Sequence, residues 1–439
     1  MREFLPHQKE IWERVEGSKR LALFLEMRLG KTILAIRWVR SLQKVKSVLL
    51  IAPLSVLGHW EDELEKEDID YYTLHGLSSE EIIRECSNLW KLSDKLNWFL
   101  VNYEAVRTKK DMLGKLKWDA TILDESTLIK TPTTKTSSII CSNTSHVPHR
   151  ALLSGNPNPE SLLNLFQQFK FLYGGFCGCS NYWSFRDRYF RTRDGYRWFP
   201  KPGSHRIITK ELSRLAIVMK RRQAKISTPT HRIRKYVFLP EKIAEAYKLV
   251  EEDFSSNGDE TVWRMVVDIW LSRISGGEHK LNVLTKTIKR FQGKKIVVWF
   301  RFNDELNNAL RKLRELGFLV DYITGAVSKP ERQKKLKTFQ SGKLQVLLCQ
   351  VKCLQYGVNL AAAQVAIRYS TTLSYSDNEQ ARQRVLHPLK KETTVMVDLI
   401  TKDTIDEDIY NVLGQKKKYS DLALGHAIKH EFIRRITGG

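Results

Sequence analysis

Short apolar, β-branched runs recur along this chain, separated by helix-like stretches, and that alternation restricts the fold more than any other feature. Runs at 20–25, 47–52, 98–102, 120–123 and 150–154 read as strands in the first half. A second series at 295–300, 319–323, 345–349, 365–369 and 394–399 repeats the pattern in the second half. The expected fold class is therefore α/β, two parallel sheets in tandem, each with crossover helices. A length of 439 residues fits two large lobes, at roughly 100–200 residues per domain. Between the two series, residues 160–225 are rich in aromatic and basic side chains. They run into KISTPTHRIRK, whose Thr-Pro-Thr breaks any helix. The lobes are accordingly expected at 1–228 and 229–439, the first carrying an aromatic and basic insertion at about 166–215. Residues 240–255 and 261–274 read as helices split by the turn-like SSNGD, so the second lobe should carry a helical protrusion at about 240–275.

Charge narrows the class of partner. Lys and Arg number 73 against 49 Asp and Glu, a net charge of +24, which favours a polyanion, with nucleic acid the simplest case. No apolar run approaches the roughly 18 residues that a membrane span needs, so a soluble chain with no membrane partner is expected. The start, MREFLPHQKE, has no apolar signal segment. Six scattered cysteines do not form a disulfide framework, and a reducing cytoplasm fits them best. Cys177 and Cys179 make a C-x-C pair, but no second Cys/His pair follows at zinc-finger spacing, so no cysteine metal site is expected.

Two segments carry chemistry. EMRLGKT, residues 26–32, follows a strand run and precedes ILAIRWVRSL, which has helical periodicity. A phosphate-binding loop needs that context. Backbone N–H groups of Leu29 and Gly30 face the phosphates at the helix N-terminus, Lys31 supplies a cation to the β- and γ-phosphates, and the Thr32 hydroxyl can ligate Mg²⁺. The loop departs from the general pattern, with Leu25 where the leading Gly falls and Arg28 where many such loops have another. The second segment, TILDES at 121–126, is an apolar strand ending in adjacent carboxylates. Asp124 can hold Mg²⁺ through water, while Glu125 can orient and deprotonate an attacking water. The cofactors expected are thus ATP and Mg²⁺.

With these two segments placed, the chain resembles superfamily 2 helicases of the SNF2-like branch, in order and over nearly its whole length. Leu5-Pro6-His7-Gln8 looks like the adenine-reading segment, with Gln8 for the base; residues 51–64 resemble motif Ia, and 101–106 the next strand-contacting segment. DESTLIK, 124–130, stands at the DEAH-type box, and LLSGNPNPES, 152–161, looks like motif III with Asn156 in place of the usual Thr. In the second half, 294–302 resemble motif IV, 324–342 the segment after it, QYGVNL (355–360) motif V, QARQRVLHP (380–388) motif VI and TIDEDIY (404–410) the closing helix signature. Motif VI in this family carries two arginines that reach the γ-phosphate. Arg384 fills the first position, but His387 stands at the second, with Arg382 nearby.

The resemblance implies two tandem RecA-like lobes, an ATPase bridging Lys31 and Arg384 across one nucleotide, and movement along a strand held mainly by phosphates and sugars. It places those contacts at Ser55, Asn102 and Tyr103 in the first lobe and at Arg301, Thr324 and Lys352 in the second. Residues 185–206 interleave basic and aromatic side chains around Asp194-Gly195, a favoured hairpin turn. A β-hairpin carrying Arg193, Tyr196, Arg197 and Trp198, stacking against bases or splitting a duplex, is expected there, with plain aromatic packing as the alternative. The chain is also similar to compact phage-encoded SNF2-like helicases and fork-remodelling motors. Branched DNA, a fork or Holliday junction, is the substrate this implies, with a monomer in the cytoplasm of a bacterial or phage-infected cell. An RNA helicase, a plain duplex translocase, and a nucleotide-gated clamp or annealing protein with little turnover stay open as alternatives.

Overall fold

The computed structural model describes residues 3–414 except 75, 93–94, 110–113, 158–160, 193–197, 226–228, 258–270, 356–357, 387–389 and 391. The chain divides into two compact units at residues 226–227.

The first unit is built on a seven-stranded sheet: β1 (Arg20–Leu25), β2 (Ser47–Ala52), β3 (Asp70–Thr73), β4 (Asn97–Asn102), β5 (Ala120–Asp124), β6 (His149–Ser154) and β9 (Ile217–Met219). The strand order is β3-β4-β2-β5-β6-β1-β9, and every pairing is parallel. Strand periodicity sends alternate residues to opposite faces, and both faces are packed. Leu49 and Ile51 of β2 join Ala22, Phe24 and Phe99 on one side, whereas Val48, Leu50 and Ala52 join Leu21, Leu23 and Trp98 on the other. Two buried faces explain why these strands read as unbroken apolar runs.

The second unit holds a six-stranded sheet in the order β10-β15-β14-β11-β13-β12, again wholly parallel. Its strands are β10 (Thr230–Val237), β11 (Ile296–Phe300), β12 (Val320–Ile323), β13 (Val346–Gln350), β14 (Val365–Arg368) and β15 (Thr394–Thr401). Val297 and Trp299 pack with Leu347 and Cys349 on one face, Ile296 and Val298 with Val346 and Ile367 on the other.

Three strands lie outside the expected set. β3, β9 and β10 each close an end of a sheet. Edge strands are short or charged, as in DYYT, IVM and THRIRKYV, so they lack the apolar signal. The helix expected over 240–255 forms at Glu241–Asn257. Residues 261–270 of its expected neighbour lie outside the described set, and 271–275 are helical.

The aromatic and basic segment folds as helices Asn164–Tyr173, Tyr182–Tyr189 and Ser204–Leu215, with an antiparallel hairpin of β7 (Phe190–Thr192) and β8 (Trp198–Pro200). Most of its aromatics are core: Phe166, Phe169, Phe176 and Phe185 are buried against the sheet, with Phe169 and Phe176 stacked at 4.5 Å between centroids. Thr192 pairs with Trp198 across the hairpin, and the expected turn at 194–195 lies outside the described residues.

Candidate functional site

The strands β5, β6 and β1 are neighbours, so the loops at their C-terminal ends meet along one edge of the sheet, where ligands bind in open parallel sheets. The loop after β1 turns sharply into the helix Lys31–Ser41 through Gly30, whose φ of +84° only glycine adopts cheaply. A Cβ at Gly30 would also collide with the Gln8 amide nitrogen. Gln8 is buried; its Nε2 donates to the Leu29 carbonyl (3.3 Å) and its Oε1 accepts from the Leu5 N–H (3.0 Å). His7 Nε2 lies 3.2 Å from the same carbonyl. The residue read as an adenine contact thus also clamps the phosphate loop. Glu26 ties the loop's start to β9 and its following turn: its carboxylate accepts from the Arg221 N–H (2.9 Å) and its N–H donates to the Met219 carbonyl (3.0 Å). Lys31 Nζ donates to the Leu25 carbonyl (2.8 Å), and Thr32 is half-buried one residue into the helix.

At the end of β5, Asp124 is buried and tightly held. Its Oδ2 accepts from the Trp60 indole N–H (2.8 Å) and its Oδ1 from the Glu125 N–H (2.9 Å). Glu125 occupies the left-handed region (φ 50°, ψ 52°), which an L side chain rarely adopts. Strain of this kind, of order 1–3 kcal/mol, collects at functional sites because the surroundings must enforce it. The next residue shows how: Ser126 Oγ donates to Gln168 Oε1 (2.7 Å), while Gln168 Nε2 donates to the carbonyls of Pro157 and Asn164 (2.7 Å each). One buried amide therefore joins the carboxylate turn to the loop after β6. That loop also lies against the phosphate loop, since a Cβ on Gly155 would stand 3.3 Å from the Met27 side chain.

Two of the residues expected as strand contacts are buried in the first unit. Tyr103 is buried, and its hydroxyl donates to the Asp124 carbonyl (2.9 Å), bracing the carboxylate turn; Asn102 is buried beside it. Burial, together with the Asp124 and Glu125 charges, holds the Tyr103 phenol well above its ordinary range, so it stays a donor. Ser55 is half-exposed in the first turn of Leu54–Lys66.

In the second unit Lys352 is exposed, Thr324 is buried, and half-exposed Arg301 lies over the Phe302 ring at 4.8 Å while donating to Ser272 Oγ (3.0 Å). Arg384 is half-exposed at the end of the helix Tyr375–Val385, with its carbonyl accepting from the Leu360 N–H (3.1 Å). Arg382 is engaged with Glu379 (Nε to Oε2 2.9 Å). His387, Arg193, Tyr196 and Arg197 lie outside the described residues. No group of three or more His, Cys, Asp or Glu side chains that could hold a metal occurs among the described residues. Sequence reasoning missed Trp60 and Gln168, because contacts spanning 64 and 42 residues leave no local signal.

This arrangement is matched by known families. The SNF2-related domain matches residues 11–240, more than half of the chain, and the helicase conserved C-terminal domain matches 279–388. The chain belongs to the SNF2-related family. Among curated relatives of this SNF2-related chain is the ISWI chromatin-remodeling complex ATPase ISW1 of Saccharomyces cerevisiae, 22% identical over 91% of this chain and 38% of that protein. Another is the DNA repair and recombination protein RAD54-like of Gallus gallus, 24% identical over 94% of this chain and 67% of that one. The chain spans less than half the length of the first curated relatives it matches. A solved structure of the Sulfolobus solfataricus SWI2/SNF2 ATPase core in complex with dsDNA is 20% identical with a TM-score of 0.46, covering 98% of this chain and 95% of that one.

Proposed function

We propose that this SNF2-related chain is an ATP-hydrolysing motor that moves along DNA and acts on branched DNA, a fork or Holliday junction. The observation that carries the ATPase reading is the convergence of Lys31, Thr32, Asp124 and Glu125 at the C-terminal ends of β1 and β5, either side of β6. With nucleotide bound, Lys31 would pair with the β- and γ-phosphates in place of the Leu25 carbonyl. A hydroxyl and a carboxylate are hard oxygen donors that suit Mg²⁺: Thr32 and, through water, Asp124 would hold the ion, which would supply charge neutralisation at the phosphates. Glu125 orients the attacking water and takes its proton, while Trp60 holds the Asp124 carboxylate and Tyr103 braces the Asp124 backbone carbonyl. Arg384 supplies the cation that steadies the γ-phosphate as charge builds.

DNA as the track is supported by the +24 charge and by a relative named for DNA repair and recombination. Lys352, Ser55 and Arg301 have the exposure that a phosphate contact requires. The branched substrate rests on likeness to compact fork-remodelling helicases.

Steady-state ATPase with no nucleic acid, single-stranded DNA, duplex, fork, four-way junction and RNA tests the reading, beside Lys31→Ala. Forks or junctions should stimulate turnover most, and the variant should fall to background with every polymer. Preferential stimulation by RNA would replace DNA with RNA as the track. His387, at the second arginine position of motif VI, favours one further reading, a nucleotide-gated clamp with little turnover. Tight, salt-sensitive DNA binding with no stimulated phosphate release would select it.

A further inference from the structure

Trp198 was expected to offer its face to bases, yet its ring is taken. The Arg186 guanidinium lies over it at 4.1 Å, and the ring packs partly buried against the first unit's core. Arg186 lies equally over a second indole, Trp183, at 4.7 Å, and an ion pair with Asp187 (2.8 Å) fixes it there. The result is a Trp183–Arg186–Trp198 sandwich between the helix Tyr182–Tyr189 and the hairpin. Its outer member, Trp183, is 54% exposed, an unusual position for so large an apolar ring.

Trp183 borders a cavity of about 310 Å³ that is lined by Pro132, Thr133, Ser142, Gln167 and Lys170 among others. The volume falls at the small end of the range of ligand sites, roughly 300–1,000 Å³. Gln167 stands in its wall. Gln167 is 3% exposed, its Nε2 donates to Cys141 Sγ (3.3 Å), and its Oε1 has no hydrogen-bond partner among the described residues. That oxygen has no accessible surface of its own, so what the cavity offers a ligand is the Trp183 ring, the Thr133 and Ser142 hydroxyls and Lys170. The lining suits an anion: its described residues include Lys170 and no Asp or Glu.

We propose that this cavity binds an unpaired nucleotide of a DNA strand, its base stacked on Trp183 and its phosphate near Lys170. A stacking face accepts any base, as a motor requires. The proposal rests on the DNA-motor reading and adds the single-stranded arm of a branch to it. The site is wired to the chemistry: Gln167 precedes Gln168, the amide that holds both the carboxylate turn and the loop after β6, and Thr133 follows that turn by eight residues. A base entering the cavity therefore presses on elements that position Glu125.

The experiment uses the full chain with a fork whose unpaired arm carries 2-aminopurine, and a blunt duplex of equal length. In the wild type, arm fluorescence should be quenched on binding. Trp183→Ala should remove the quench and weaken fork binding about tenfold, with duplex affinity changed less than about twofold, while Trp183→Phe retains most of the fork affinity. Lys170→Gln, which removes the cation beside the phosphate, should weaken the fork about threefold or more. Unchanged fork affinity and quench in Trp183→Ala would overturn the proposal, as would equal losses on fork and duplex. Failure of the motor reading looks different: wild-type protein would then show no ATPase stimulation by either DNA.

Discussion

A buried carboxylate with an indole donor on one oxygen and a backbone N–H on the other has little freedom left, and Asp124 is in that state between Trp60 and Glu125. Holding it this way means the carboxylate needs no reorganisation when a cation arrives. Hydrogen bonds to charged groups contribute about 1.5–3 kcal/mol. Trp60→Phe, which keeps a ring in the core, should therefore lower the DNA-stimulated kcat about tenfold, with the ATP KM moving less than about threefold. Steady-state kinetics on the folded variant checks this; wild-type kcat would mean that the indole only fills space. Glu125 has the opposite local character, a strained backbone that nothing in TILDES announces. Its left-handed turn follows from Ser126 being drawn down onto Gln168, a contact made 42 residues along the chain.

At the scale of elements, the helix Asn303–Glu315 is anchored by an acid rather than by an apolar residue. Glu305 is buried beneath the turn at Gly276, where a Cβ would collide with it, and it accepts from the Ser370 hydroxyl. Burial pushes its carboxyl up to about 7, against a smaller opposing effect of the Ser370 bond and of Lys280. Between the unfolded value, about 4.3, and about 7, the folded state binds the proton that the unfolded chain has lost. Stability therefore falls as pH rises through that window and levels off above it. Thermal melts from pH 4.5 to 7.5 should show Glu305→Gln with a flatter profile than wild type and a higher Tm at pH 7.5; parallel profiles would count against it. Nothing in the motif-like order of the sequence marks this acid. The central strands were legible because both of their faces are buried, so Val, Ile and Leu run without interruption, and the phosphate loop was legible because GKT sits between a strand and a helix. The edge strands β3, β9 and β10 were not, since charge or brevity hides them, and the aromatic segment gave its composition but not its division into core rings and the exposed Trp183.

On the scale of the whole molecule, positive charge is unevenly spread. Residues 181–222, under a tenth of the chain, hold twelve cationic against three acidic side chains, which strengthens the first unit's long-range attraction for a polyanion. The two units also differ in the order in which they can be completed. Every strand of the first sheet lies between residues 20 and 219. In the second, β10 is hydrogen-bonded only to β15, with Thr230 opposite Thr394, 164 residues later. During synthesis the first sheet closes while the second still waits for its penultimate position to be filled, and such distant pairings form slowly. A chain halted near residue 392 would leave β10 without a neighbour and β14 with an open edge, both templates for intermolecular pairing. Limited proteolysis of such a truncation should yield a resistant fragment ending near residue 226 and an aggregating remainder; a soluble, resistant second unit lacking β15 would show that the sheet closes without it. β15, the last strand among the described residues, is thus the one that seals the second sheet, and a chain broken off before it would carry a sticky, open sheet beside a finished one.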